Sequence, residues 1–179
     1  FALHLTPFTE WFGALVLGLG GCIVLYANTY FVHKDRRNYL LALLCLFTTA
    51  MLGVLWADNF FLLFLFWEAT SALSFLLVGT NHENEVNRKK ASQALLITLT
   101  GGAGLLVGLV LLQFHFGTNS ISELLANESL GEITPTLTAA VLLIILGAFT
   151  KSAQWPFHFW LPNAMVGPTP VSAFLHSAT

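Results

Sequence analysis

Charge is what this sequence has least of. Of its 179 residues only 9% are charged, with 7 Lys and Arg against 9 Asp and Glu, and its formal net charge is -2. An average soluble domain has about 25% charged residues, which it needs to cover its surface. This shortage excludes an ordinary soluble enzyme and a disordered chain. The absence of a basic excess also excludes a nucleic-acid-binding protein.

Cysteine is also scarce, and we expect no signal peptide at the start of this sequence. The two cysteines, Cys22 and Cys45, both fall inside apolar runs, so we expect packing residues and no disulfide framework. No basic segment followed by a short apolar core and a cleavage site opens the chain, so it does not begin as a signal peptide. Because the first residue is Phe1 and both ends look cut, we expect a fragment of a longer chain.

Apolar residues are abundant: 56% of the chain is hydrophobic and the mean hydropathy is +0.75. A helix needs roughly 20 apolar residues to cross a bilayer, and long runs favour helices over the weak alternation of a barrel. The sequence therefore predicts an all-α, polytopic transmembrane bundle forming one membrane domain over residues 1–179. Five spans are predicted at Phe12–Val32, Leu40–Trp56, Phe60–Val78, Ala91–Phe116 and Ile133–Ala153, and a sixth, truncated one starts near Val171.

The basic residues predict which side each loop occupies. The loops at 33–38 and 80–90 contain six of the seven Lys and Arg residues, whereas the opposite side has five acidic residues and no basic one. Basic loops favour the cytoplasmic side, so we expect these two loops inside and the 117–136 segment outside a cell membrane. Within that outer segment, Ile121, Leu124 and Leu125 have the spacing of a short amphipathic helix.

Two charged residues lie within predicted spans. Glu68 lies near the centre of the third span, and Lys151 lies deep in the fifth. A charge at the bilayer centre costs about 2.5–3.5 kcal/mol on insertion scales, so each should face protein or water and mark an ion path. The alternatives are a purely structural ion pair and, for Lys151, a side chain that extends to the headgroups.

Prolines follow Lys151 closely. Pro156 and Pro162 lack the N–H groups that a continuous helix would need, which predicts a break between Lys151 and Phe157 and free carbonyls at Ser152 and His158. A broken helix at membrane depth is typical of ion sites in transporters, because irregular backbone there must line protein or water.

Two histidines are further candidates for a proton path. His176 falls inside the truncated last helix, and an imidazole titrates near neutral pH, although a packing role is equally consistent. His158 is the weaker candidate, since its aromatic neighbours could place it at an interface. No His or Cys pair has the spacing of metal ligands, so we predict neither a metal nor another cofactor.

Three motifs resemble one family of membrane proteins. Residues 66–71 (FWEATS) with 74–79 (SFLLVG), residues 151–162 (KSAQWPFHFWLP) and residues 167–173 (GPTPVSA) followed by His176 resemble the antiporter-like subunits shared by Mrp-type cation/proton antiporters and respiratory complex I. The resemblance covers essentially the whole chain, from the family's third helix into its eighth. It implies a fourteen-helix core, a pair between Glu68 and Lys151, and a proton path continuing through His176.

Within this family the sequence looks most like the large A-type component of Mrp antiporters, because of Glu68-Ala69-Thr70-Ser71 and Thr100-Gly101-Gly102. That implies exchange of Na+ for H+ by a complex with other membrane subunits, which is transport and not enzymatic catalysis. The alternative is the distal proton-pumping subunit of complex I, and a third reading is an inert anchor. Asn163 stands where the family more often has Asp, so a carboxylate role at that position is doubtful.

Overall fold

The computed structural model describes residues 3–31, 36–81, 85–127 and 134–178. These residues form an all-helical bundle whose α-helices are α1 (Pro7–Tyr30), α2 (Arg37–Trp56), α3 (Phe60–Val78), α4 (Glu85–Phe116), α5 (Ile121–Leu125), α6 (Pro135–Lys151), α7 (Trp160–Asn163) and α8 (Thr169–Ala178). Short 3-10 turns at Gly79–Asn81 and Ala164–Val166 follow α3 and α7. The predicted all-α fold is confirmed.

Four helices, α1 to α4, are long and apolar enough to cross a membrane. The predicted bounds of the third span agree with α3, and the predicted amphipathic helix is α5, which buries Leu124 and exposes Leu125. The predicted ends at Val32 and Ile133 lie outside the described residues, as do residues 33–35, 82–84 and 128–133 of the three predicted loops.

The first and fourth spans begin earlier than predicted. Thr6 caps α1 by accepting from the Thr9 N–H while the Thr9 hydroxyl accepts from the Thr6 N–H, so the helix begins at Pro7. The α4 helix begins at Glu85 because its basic residues continue the helix, and the Lys89 ammonium lies 2.7 Å from the Glu85 carboxylate one turn away.

Small residues bring α4 and α6 into close contact. A Cβ added at Gly108 would lie 2.7 Å from the Ala140 carbonyl oxygen, and one at Gly147 would lie 2.9 Å from the Gly101 carbonyl oxygen. Glycines at such positions let two helix backbones approach within a membrane. Gly104, one helical turn before Gly108, makes only ordinary contacts at 3.5 Å with α6.

Asp58 ties two connections together on the side opposite the basic residues. Its carboxylate accepts hydrogen bonds from the Ser122 N–H at 2.8 Å, the Ser122 hydroxyl at 2.7 Å and the Ser120 hydroxyl at 3.0 Å. The backbone N–H of Ile121 donates to the Asp58 carbonyl, and that of Phe60 donates to the Asn119 carbonyl. These bonds hold α5 against the turn between α2 and α3.

The hydrogen bonds of this cluster also set the protonation of Asp58. Burial by itself would raise its pKa, but the bonds from Ser122 and Ser120, with a smaller contribution from the charge of His4, lower the pKa below its usual range. Asp58 therefore remains ionised at neutral pH, where its charge strengthens the bonds that it accepts.

Candidate functional site

Lys151 is the last residue of α6. Ser152 caps the helix end and its N–H donates to the Ala148 carbonyl, after which Ala153 takes a positive φ of 51°. The Gln154 N–H still reaches the Phe149 carbonyl, and helical structure resumes only at Trp160. The fifth span is thus broken where the sequence predicted it, but the helix ends five residues before Pro156.

Pro162, the second proline after Lys151, lies in a short helix, whereas the sequence predicted that it would interrupt one. Pro162 lies in the first turn of α7, where an N–H has no partner within the helix in any case. The carbonyl of His158 is not left free, since the Leu161 N–H donates to it at 3.3 Å. The expectation of a free carbonyl there is therefore wrong.

A tryptophan fastens the far side of the break to the end of α6. Trp160 is 2% exposed, and its indole N–H donates to the Thr150 carbonyl at 2.9 Å. That carbonyl is one of the four that a helix leaves unpaired at its C-terminus. The α7 segment also contacts α4, where the Asn163 side-chain amide donates to the side-chain oxygen Oε1 of Gln93 at 3.3 Å. Both contacts keep the irregular segment beside the bundle.

The ammonium of Lys151 is bound by α3. Its Nζ donates to the Ser71 hydroxyl at 2.7 Å and to the Trp67 backbone carbonyl at 3.4 Å, and it lies 5.8 Å from the centre of the Trp67 ring. The Ser71 hydroxyl in turn donates to the Trp67 carbonyl at 3.4 Å. Two neutral oxygens and an aromatic face thus provide the lysine with partners inside the bundle.

Glu68 is the neighbouring charge and is not bonded to that lysine. Both carboxylate oxygens are buried, and neither has a hydrogen-bond partner among the described residues. The carboxylate points at α4, where it occupies the place that a side chain on Gly102 would take. The charges of Glu68 and Lys151 nevertheless act on each other across the gap. The structure therefore brings the two residues together without joining them in an ion pair.

A cavity of about 260 Å³ adjoins the lysine. Its polar lining comes from three helices and the break: Thr70, Ser74, Thr98, Lys151 and Ser152. The hydroxyls of Thr70, Ser74 and Thr98 each donate to a carbonyl of their own helix, which leaves their oxygen lone pairs available to the cavity. The rest of the lining is mainly apolar, but the space is large enough for water, and these oxygens offer it hydrogen-bond partners next to the lysine.

The two candidate histidines lie further out. His176 is exposed on α8, where its Nδ1 lies 2.8 Å from the Ser172 carbonyl, although the preceding Leu175 lines the lysine cavity. His158 is exposed within the break, with its ring 6.3 Å from that of Phe159. Neither ring touches Glu68 or Lys151 in the described part of the chain.

Sequence reasoning did not assign four of the contacts that build this site and its surroundings. They are the bond from Lys151 to Ser71, the fit of Gly102 against Glu68, the bond from Trp160 to Thr150 and the cluster around Asp58. Of these contacts, only the position of Ser71 could be inferred from the sequence, because Ser71 lies one helical turn beyond Glu68 on the same face of the helix. The others depend on which helices become neighbours.

A bundle of long apolar helices around a half-buried lysine and an acid whose carboxylate oxygens are buried defines a multi-pass membrane protein with an internal polar site. The chain belongs to the NADH:quinone oxidoreductase/Mrp antiporter transmembrane family, whose model matches residues 57–179.

Relatives and a solved structure agree with this family. The chain is 45% identical over 179 residues to the A1 subunit of the Na(+)/H(+) antiporter of Staphylococcus haemolyticus (strain JCSC1435), and 44% identical over 179 residues to the A/B subunit of a probable K(+)/H(+) antiporter of Rhizobium meliloti (strain 1021). These matches cover all of this chain but only 22% and 18% of the relatives. The structure of the Mrp complex from Dietzia sp. DQ12-45-1b matches 97% of this chain and 19% of that chain, with a TM-score of 0.88 and 36% identity.

Proposed function

We propose that this chain is part of the proton-translocating membrane subunit of a multi-subunit Na+/H+ antiporter. The observation that carries the proposal is the buried site itself, in which Lys151 is bound by Ser71 beside a carboxylate of Glu68 that has no bonded partner among the described residues. The names of the relatives support the antiporter assignment. The protein is then a transporter subunit whose partners are other membrane subunits of the complex.

The geometry suggests how the site would work. Lys151 has two neighbouring sets of acceptors, namely the neutral oxygens of Ser71 and Trp67 and the carboxylate of Glu68. An ammonium is stabilised by a carboxylate more than by neutral oxygens, so moving between the two sets changes how readily the lysine gives up its proton. We propose that this exchange moves a proton through water in the adjoining cavity and onward by way of His176.

The exchanged cation is part of the same proposal. The relatives carry the names of both a Na(+)/H(+) and a probable K(+)/H(+) antiporter at nearly equal identity. We propose Na+, and the measurement that decides is the rate of proton flux with Na+ or K+ as the only monovalent cation. Faster proton flux with K+ than with Na+ would assign the chain to a K+/H+ antiporter instead.

The alternative function is a proton-pumping membrane subunit of NADH:quinone oxidoreductase, because the family description covers both assemblies. The Lys151 site would serve either one, since a proton path through Glu68 and Lys151 requires no redox group. Co-purification discriminates them. Partner subunits that reduce quinone would favour the alternative, and small membrane subunits without redox groups would favour the antiporter.

We propose that the protein lies in the cell membrane with the 33–38 and 80–90 loops in the cytoplasm and the 117–136 segment outside. The test is cysteine labelling of intact cells at Ala126, which is exposed beyond α5, with Asn38→Cys as the opposite-side control. Ser120 is a poor labelling position because its hydroxyl bonds Asp58. Both native cysteines, Cys22 and Cys45, should first be replaced. Labelling of Asn38→Cys but not of the cysteine at position 126 would show that the topology is the reverse of the proposed one.

The test of the proton path separates assembly from transport in Lys151→Ala, Glu68→Gln and the double variant of the full complex. We expect all three to assemble and to lose most cation-driven proton flux. A purely structural pair would instead impair assembly while any assembled complex kept its activity. Normal flux in an assembled Lys151→Ala complex would overturn the proposed path.

A further inference from the structure

A second cavity shares no lining residue with the cavity beside Lys151. It has a volume of about 480 Å³ and lies where α2 and α4 begin and α3 ends. Its polar lining is formed by Arg36, Tyr39, Thr80 and Arg88, and Phe75 and Leu76 form an apolar wall. Nothing in the proposed proton path uses these residues.

The polar end of this cavity is positively charged. Arg36 and Arg88 both reach it, and no carboxylate lines it among the described residues. The nearest acid along α4, Glu85, is engaged by Lys89 at 2.7 Å. Guanidinium groups suit phosphate because they offer two parallel N–H donors, and the positive ends of the α2 and α4 helix dipoles lie at the same end of the bundle.

The remainder of the cavity suits a hydrocarbon chain. Phe75 and Leu76 are in the last turn of the apolar helix α3, and Leu76 is 41% exposed. Tyr39 also lines the cavity and is 48% exposed, and tyrosines are common at the level of the headgroups. The cavity therefore changes from basic to apolar in the direction that leads from the membrane surface into its core.

We propose that this cavity binds an anionic phospholipid, with its phosphate on Arg36 and Arg88 and an acyl chain along Phe75 and Leu76. Basic pockets between transmembrane helices recognise acidic headgroups by this chemistry. The tyrosine and threonine hydroxyls supply donors for the remaining headgroup oxygens. The bound lipid would hold the starts of α2 and α4 together by bridging their two arginines.

The test measures lipid bound to the intact complex by native mass spectrometry, after removal of endogenous lipid and addition of phosphatidylglycerol. The variant is Arg36→Gln with Arg88→Gln, and the matched control is Lys89→Gln with Lys90→Gln, which likewise removes two positive charges but none from the cavity lining. We expect the affinity for phosphatidylglycerol to fall about thirtyfold in the double variant, from two basic contacts near the membrane surface, and to be unchanged in the control.

Three further binding measurements distinguish the possible ligands of this cavity. Phosphatidylcholine should compete poorly because its headgroup has no net charge. Arg36→Lys with Arg88→Lys should bind more tightly than the glutamine double variant because it keeps the charge, but more weakly than wild type because it loses the paired N–H donors. Inorganic phosphate should not displace the lipid, since it lacks the acyl chain, and displacement at millimolar concentration would overturn the lipid assignment. Equal phosphatidylglycerol binding by the glutamine double variant and by the lysine-to-glutamine control would overturn the proposed site. A segment of a neighbouring protein found in the cavity would also overturn it.

Discussion

Gly102 makes room for the carboxylate of Glu68. A Cβ added at this position would overlap the Oε1 atom of the glutamate, so the absence of a side chain on α4 allows the acid to lie between the helices. The same helix places Gly101 against the hydroxyl of Thr150, the residue that precedes Lys151. Two successive glycines thus fit α4 closely to both sides of the charged site.

Gly102→Ala should displace Glu68 and reduce transport. Overpacking a buried site typically costs about 1–3 kcal/mol, and here the flexible glutamate is the group that must move. We expect an assembled complex with cation-driven proton flux lowered at least about tenfold. Gly104→Ala is the control on the same helix, because a Cβ there meets its neighbours at an ordinary 3.5 Å. Equal flux in the two variants would contradict this packing role.

Ser71→Ala should slow transport without preventing assembly. The substitution removes the 2.7 Å hydrogen bond that Lys151 donates, and a bond to a charged group contributes about 1.5–3 kcal/mol. The lysine should then move toward Glu68, within the roughly 4 Å of an ion pair. A structure of the variant complex checks the position of Nζ, and flux in vesicles checks the rate.

The matched control for that variant is Thr49→Ala. Thr49 is exposed and does not line the lysine cavity, and its hydroxyl donates to the carbonyl of Cys45 in its own helix. We expect near-normal flux in this control. If Ser71→Ala had the same flux and the same lysine position as the control, the role of Ser71 as lysine acceptor would be refuted.

Trp160→Phe should loosen the segment that follows Lys151. The indole N–H donates to the Thr150 carbonyl inside the protein, and leaving a buried carbonyl unpaired costs about 1–3 kcal/mol. We expect a lower thermal unfolding temperature of the purified complex and a reduced yield of assembled protein. Trp155→Phe is the control, since Trp155 is 79% exposed in the same segment. A Trp160 variant as stable as this control would show that the bond contributes little.

Asp58→Asn should weaken the attachment of α5 to the turn between α2 and α3. Because the folded-state pKa of Asp58 is lowered, its contribution is fully present above the unfolded-state value of about 4 and is lost as pH falls through the still lower folded-state value. We expect the free energy of unfolding of wild type to exceed that of the variant by about 1.5–3 kcal/mol at pH 6. The difference should be smaller below pH of about 4.

Thermal unfolding of both proteins across that pH range measures this effect. Glu10→Gln is the control, because Glu10 is an exposed carboxylate on α1. A difference between wild type and Asp58→Asn that grew as the pH fell would have the wrong sign for a carboxylate stabilised in its charged form.

The spans were predictable because they depend on local composition. An apolar run between polar turns fixes α3 at the bounds predicted for it, and the two buried charges stand out within their runs. The helix break was also predicted, although its start at Ser152 was not, because a cap and a left-handed Ala153 end α6 before the proline does.

The partners of the charged residues could not be read from the sequence. The resemblance to the antiporter-like subunits implied a pair between Glu68 and Lys151, whereas the structure has Nζ on the hydroxyl of Ser71, one helical turn from the acid. That choice depends on the rotation of α6 about its axis relative to α3, which no local pattern encodes. The role of Gly102 likewise depends on a neighbouring helix. In the sequence, Gly102 could be recognised only as part of a motif that resembles the family.

The position of Lys151 at the very end of α6 makes the length of that helix as important as its composition. One residue inserted or deleted between Pro135 and Thr150 would turn the lysine by about 100° around the helix axis, away from Ser71. Apolar substitutions that keep the length leave this angle unchanged. In the evolution of this chain, we therefore expect α6 to tolerate many exchanges of one apolar residue for another and no change in its number of residues.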